Sequence, residues 1–155
     1  MTDSSEGLRL DAYLPYRLSV ASNEVSRLIA RAYEDRFGLS VPQWRLICIL
    51  AEDGPSTPQS VVARTATDKV IISRAAQALT ARRLIQRTPN AADGRSHHLE
   101  LTETGRRLHA EVTPLALKYE QEVIVGLSEA EVEGLQRLLR RIEQTAARLA
   151  ADSFK

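Results

Sequence analysis

Apolar residues recur along this chain with the three-to-four spacing of amphipathic helices. Two turn-rich breaks interrupt them, Asp53-Gly54-Pro55-Ser56-Thr57-Pro58 and Pro89-Asn90-Ala91-Ala92-Asp93-Gly94. The first helix is predicted from about Asp11 to Phe37. Leu14, Leu18, Ala21, Val25, Leu28 and Ala32 share one face, with Arg36 its only polar member, and Pro15 suits a first turn. Gly38 ends it. Such a helix of about 27 residues is about 40 Å long. A chain of 155 residues cannot cover all of it, so part of it is expected to pack on another chain.

A second helix starts at Ser40, where Gln43 has capping-box spacing, and carries Trp44, Leu46, Ile47, Ile49 and Leu50. A short third helix follows Thr57, with Pro58 at its first position and Val61, Val62 and Ala66 apolar. A fourth is expected from Thr67 to about Arg82, its inward face made of Ile72, Ala75, Ala76 and Leu79. Two short strands, Leu84–Thr88 and Ser96–Leu101, flank the second break. In the second strand His97, Leu99 and Leu101 share one face, and His98 and Glu100 the other. A fifth helix runs from Thr102 to about Val125, with a bend expected at Pro114. A sixth starts at Ser128, with Glu131 completing a capping box and Leu127 and Val132 at staple positions. Its stripe is Val132, Leu135, Leu138, Leu139, Ile142 and Leu149, broader than its own fold needs. The fold class is mainly α, in the order α-α-α-α-β-β-α-α. Two short helices joined by a tight turn and followed by a hairpin describe a winged helix-turn-helix.

Composition changes this picture little, with 43% hydrophobic and 26% charged residues, as in an ordinary globular domain. The longest apolar run, Leu46 to Ala51, is too short to span a bilayer, and no membrane partner is expected. Met1 to Gly7 is polar and acidic, unlike a secretory signal, and the single cysteine excludes an internal disulfide. A cytoplasmic location is the expectation.

Charge changes more. The net charge is +1, yet residues 56–98 hold seven cations (Arg64, Lys69, Arg74, Arg82, Arg83, Arg87, Arg95) against Asp68 and Asp93. That third carries +5 and the remainder −4. One concentrated basic third in an acidic frame suits a polyanion-binding module. The outward face of the fourth helix has the chemistry to read a major groove: Arg74 suits guanine, Gln77 suits adenine, and Val70 or Ile71 suits thymine methyls. Lys69 and Ser73 share that face, Thr67 is expected to cap the helix beside a phosphate, and Arg87 adds charge from the first strand. Arg95 at the hairpin tip can enter a narrow minor groove, with Asp93 bracing it or its loop.

The runs Asp68-Lys69-Val70-Ile71-Ile72-Ser73-Arg74, Leu84-Ile85-Gln86-Arg87, Asp93-Gly94-Arg95 and Leu99-Glu100-Leu101-Thr102-Glu103-Thr104-Gly105 resemble the MarR family of bacterial transcriptional regulators. The likeness extends from about Asp11 to Leu149. It implies an obligate homodimer in which the two ends of the chain pair their helices. It also implies that each winged helix reads half of a pseudo-palindromic operator in double-stranded DNA. The chain is then one domain over 1–155, with 41–101 as the winged helix-turn-helix and 8–38 and 102–152 as dimerisation helices. Arg83 departs from the family pattern, which often has glycine where the recognition helix closes. An arginine there must accept a left-handed or irregular conformation.

Family members often bind aromatic carboxylates, phenols or their thioesters between the dimer helices and the winged helix. Candidates for such an effector are Tyr16, Arg17, Asn23, Trp44 and Arg45: an arginine would take the carboxylate and the tryptophan would stack on the ring. The reading is therefore a DNA-binding transcriptional regulator, a homodimeric repressor relieved by a small aromatic ligand, with no cofactor. A cysteine-based redox regulator is one alternative, but Cys48 lies inside Leu46-Ile47-Cys48-Ile49-Leu50 and reads as inert core. A protein-interaction module docking through Val70 and Ile71 is another. His97, His98 and His109 form no ligand set for a metal, and no catalytic motif points to an enzyme.

Overall fold

The computed structural model describes residues 7–153, so most of the polar start, residues 1–6, lies outside the described residues. The helices are α1 (Leu14–Ala30), α2 (Glu34–Phe37), α3 (Val41–Asp53), α4 (Pro58–Thr65), α5 (Lys69–Ala81), α6 (Glu103–Ile124) and α7 (Glu129–Asp152). Strands β1 (Ile85–Pro89) and β2 (His97–Leu101) form one antiparallel pair, from Ile85 opposite Leu101 to Pro89 opposite His97. There are two compact units, one ending at Tyr119 and the other beginning at Glu120. No helix among the described residues is long and apolar enough to cross a membrane.

The expected first helix is divided. A 3-10 turn, Leu10–Ala12, precedes α1, and the chain breaks again at Arg31–Tyr33 before α2. At that break the amides of Arg31, Ala32 and Tyr33 donate to carbonyls three residues back rather than four, which tightens and ends the helix. The break turns Ala32 and Tyr33 into the core, and Tyr33 stacks on Trp44 at a centroid distance of 5.5 Å. A continuous helix could not bury both while keeping the stripe of α1 on one side. Gly38, at φ 63°, then closes α2 in the left-handed region.

Local signals set α3 and α4 as expected. Ser40 accepts from the Gln43 amide at 3.3 Å while Gln43 accepts from the Ser40 amide at 3.1 Å, and Thr57 accepts from the Ser60 amide at 3.2 Å. The start of α5 is corrected: its cap is Asp68, whose carboxylate accepts from the Val70 amide at 2.7 Å, and not Thr67. Thr67 instead donates its hydroxyl to the Thr65 carbonyl at 3.2 Å. Ala66, left-handed at φ 49°, ends α4, and this turn takes up the residues the expected longer helix would have used.

The core of the first unit gathers Leu46, Ile47, Val61, Leu79, Ile85, Leu99 and Val112, all fully buried. Cys48 packs beside it, and burial, with a smaller push from the Glu52 carboxylate, raises its thiol to about 11. Such a thiol stays protonated at neutral pH and is a poor nucleophile. In the second unit, α7 begins at Ser128 with the expected capping box to Glu131. None of its residues is buried, and Leu135, Leu138, Ile142 and Leu149 stand exposed along one stripe.

The exit of α5 joins the hairpin to α6. Leu84 donates to the Leu79 carbonyl and Arg83 to that of Thr80, both at 3.0 Å, with Arg83 left-handed at φ 56°. This is a Schellman closure in which arginine occupies the usual glycine position. Thr102 donates its hydroxyl to the Arg83 carbonyl at 2.7 Å and accepts from the Gly105 amide at 3.1 Å. Gly105 allows the close approach, since a Cβ there would lie 2.0 Å from the Leu84 carbonyl oxygen. Backbone cannot yield as a flexible side chain can, so Gly105→Ala should destabilise the fold by about 3 kcal/mol, read as a lowered denaturation midpoint in urea.

Candidate nucleic-acid interface

Helix α5 divides sharply into two faces. Ile72, Ala75, Ala76 and Leu79 are buried, and the helix packs on α3 and α4. Lys69, Val70, Ile71, Ser73, Arg74 and Gln77 are exposed, as the helical period requires. Val70 is 54% exposed and Ile71 43%, an unusual pairing of branched apolar side chains on a basic surface. Thr67, half-buried and hydrogen-bonded within its own turn, stands apart from this face.

The hairpin is seated beside α5 by a contact without a sequence signal. Ser56, in the first turn-rich break, donates its amide to the Leu99 carbonyl at 3.0 Å and accepts from the Leu99 amide at 2.8 Å. The loop between α3 and α4 thus adds a third, one-residue rung to the hairpin. At the tip, Asp93 accepts from the backbone amide of Arg95 at 3.0 Å, so it braces the loop and not the guanidinium. Asn90 reinforces the same loop through its side-chain bonds to Ser96 at 2.8 Å and to the Ala92 amide at 3.0 Å. Arg95 is exposed and has no ion-pair partner among the described residues.

A groove of about 470 Å³ connects the elements, lined by Pro58, Gln59, Val62, Lys69, Ile72, Ser73, Ala76 and Arg87. It brings Lys69 and Ser73 of α5 together with Arg87 of β1, which are distant in sequence. It also adds Gln59, which sequence reasoning missed; the only hint was the Thr57-Pro58 start of α4 just before it.

The basic third is less uniformly available than its composition suggests. Arg64 is tied to Asp53 and to Glu52 (3.0 Å to the latter), and the Asp53 hydrogen bond raises its pKa further. Arg82 donates to the carbonyls of Phe37 at 2.7 Å and Gly38 at 3.2 Å. Lys69, Arg74, Arg83, Arg87 and Arg95 carry no ion pair among the described residues.

The expected effector residues divide differently. Tyr16, Arg17 and Asn23 are exposed on α1, and Arg45 of α3 reaches the same helix by donating to the Ser26 hydroxyl at 3.2 Å. Trp44 is buried and stacks with the rings of Tyr33 and His109, each at a centroid distance of 5.5 Å. The expected ring-stacking residue Trp44 is thus already packed against two rings of its own chain.

Comparison with known proteins agrees with this geometry. Residues 37–96, spanning α3 to the tip of the hairpin, match the model of the MarR family. The HTH-type transcriptional repressor NicR of Pseudomonas putida is 28% identical over 131 residues, 78% of this chain and 83% of that protein. The crystal structure of a probable transcriptional regulator from Pseudomonas aeruginosa is 30% identical, covers 86% of this chain and 99% of its own, and superposes with a TM-score of 0.74. The structure of BpsR from Bordetella bronchiseptica, described for the regulation of its DNA binding by 6-hydroxynicotinic acid, is 26% identical with a TM-score of 0.79, covering 88% and 97%. An exposed basic recognition face on α5, a braced wing beside it and these relatives together place the chain in the MarR family of winged helix-turn-helix, DNA-binding transcriptional regulators.

Proposed function

We propose that this regulator is a homodimeric repressor whose two α5 helices enter successive major grooves of a pseudo-palindromic operator. The observation that carries the reading is the exposed face of α5, where Lys69, Val70, Ile71, Ser73, Arg74 and Gln77 stand clear of the core. Arg74 provides a bidentate fork for guanine, Gln77 a donor–acceptor pair for adenine, and Val70 and Ile71 apolar contact for thymine methyls. Arg95 reaches the minor groove from the wing, with Asp93 holding the loop that presents it. Arg87 and Lys69 neutralise phosphates along the groove between helix and wing. Thr67 contributes only through the turn that precedes Asp68.

Dimerisation is supported by uncovered apolar surface. Of α1 only Ala30 is buried, while Leu14 and Val25 are exposed, as are the stripe residues of α7. Stripes of this kind are a liability in a monomer and ordinary at a subunit interface. The winged helix-turn-helix then occupies 41–101, and the segments 8–38 and 102–152 supply the dimerisation helices. The effector is a small aromatic acid held against α1 and α3, with Arg17 or Arg45 taking its carboxylate and Tyr16 and Asn23 beside them. The regulation of the Bordetella relative by a hydroxylated pyridine carboxylic acid supports that chemical class.

The protein should sediment at about twice its chain mass of 17.2 kDa and should retain a duplex selected from a randomised pool, with affinity falling steeply as salt rises. A monomer, or an affinity independent of salt, would refute the proposal. Arg74→Ala should cost about 1–3 kcal/mol on the selected duplex and little on a scrambled one. Equal losses on the two duplexes would assign Arg74 to phosphate. Addition of 6-hydroxynicotinic acid or benzoate should release the bound duplex, and Arg17→Ala combined with Arg45→Ala should abolish that release while leaving DNA binding intact. Release that persists in the double variant would place the effector elsewhere.

A further inference from the structure

The recognition helix is held at its C-terminal end by two side-chain contacts with remote parts of the chain. On one side Thr102 takes the Arg83 carbonyl. On the other, Arg82 projects from the C-cap of α5 and donates to Phe37 at 2.7 Å and Gly38 at 3.2 Å, 45 and 44 residues away. The carbonyls it meets belong to the end of α2, a firm anchor. Its entrance is fixed by buried Tyr33, stacked on Trp44, and its exit by Gly38 and by buried Leu39, whose amide donates to the Tyr33 carbonyl at 3.2 Å. A guanidinium offers several donors in a rigid fork, so it can engage two adjacent carbonyls where an ammonium holds one firmly.

We infer that Arg82 is a positioning residue for operator reading, which sets the angle of α5 through the α2 turn and does not neutralise phosphate. This rests on the proposal that α5 reads DNA. The leverage is large, because α5 extends about 20 Å from Arg82 to Lys69 at about 1.5 Å per residue. A tilt of about 5° at the C-terminus moves the far end by about 1.7 Å, beyond the tolerance of a hydrogen bond. At Arg74 and Gln77, about 12 and 7.5 Å from that end, the same tilt moves the backbone by about 1.0 and 0.7 Å, which bidentate base contacts cannot follow. Long cationic side chains on phosphates can, so sequence discrimination is what the staple protects.

The test compares wild type, Arg82→Ala and Arg82→Lys on a duplex that the wild type has selected from a randomised pool, and on a scrambled duplex of the same length. Measurements are made at one salt concentration and well below each thermal midpoint. Arg82→Ala should lose at least about tenfold on the selected duplex and less than about twofold on the scrambled one, with Arg82→Lys between it and wild type. Equal losses on both duplexes would make Arg82 a phosphate contact and overturn the assignment. Unchanged affinity for the selected duplex, whatever the fall in thermal midpoint, would reduce it to a structural staple and overturn it equally. Should Arg82→Ala not fold, Arg82→Lys decides by the same comparison, selective loss supporting the assignment and equal or absent loss refuting it. A wild type that selects no duplex would instead refute the DNA-reading proposal beneath it.

Discussion

The surface this regulator turns to DNA depends on the seating of α5. Ile72 and Leu79 anchor its ends in the core, each burial stabilising by about 2 kcal/mol, and between them Ala75 and Ala76 keep the contact surface low. Two alanines let the helix lie close against its neighbours, so its outer residues are held by backbone and not by mobile side chains. With one face committed inward, the helical period leaves no choice about which side chains face out. The price is a pair of branched apolar groups, Val70 and Ile71, left in water until something covers them.

A second constraint fixes the wing relative to that helix. The chain leaves α5 through a left-handed arginine, and Thr102 and Gly105 bring the start of α6 against the same turn. Thr102 thereby serves both sides of the hairpin: it caps the helix that follows β2 and holds a carbonyl that precedes β1. The Ser56–Leu99 rung adds a hold from the α3–α4 loop. The hairpin is thus anchored at its base on two elements, and its tip is stiffened by Asn90 and Asp93. Arg83 is the one place where this junction departs from the favoured glycine, and it accepts the strained conformation that glycine would have avoided.

The electrostatic reading becomes more selective once partners are known. Seven cations lie between residues 56 and 98, but Arg64 and Arg82 are already engaged inside the fold. The remaining cations are distributed over α5, its closing turn, β1 and the wing tip. That distribution, rather than the total, gives the winged unit a directional positive surface, and it separates cations that hold the fold from cations free to meet phosphate.

Much of this was legible from residue order alone, because the informative signals are local. The inward set of α5, the capping boxes at Ser40 and Ser128 and the hairpin around Asp93-Gly94 all follow from spacing within a few residues, while the irregular conformation of Arg83 was implied by the family resemblance. The failures share the opposite character. The helix break at Arg31–Tyr33, the stacking of Trp44 with Tyr33 and His109, the Ser56 rung and the Arg82 staple each depend on residues brought together from distant positions. Periodicity gives the face a side chain occupies, but not which remote ring or carbonyl will fill the space opposite. The Thr67 and Asp68 exchange is the borderline case: both residues can cap, and the left-handed turn at Ala66 selects the second by rotating the first toward its own backbone. Local chemistry thus specified the elements and the reading face of α5, while long-range packing chose the hinges, the anchors and the cations left free, because those contacts exist only after the chain has closed on itself.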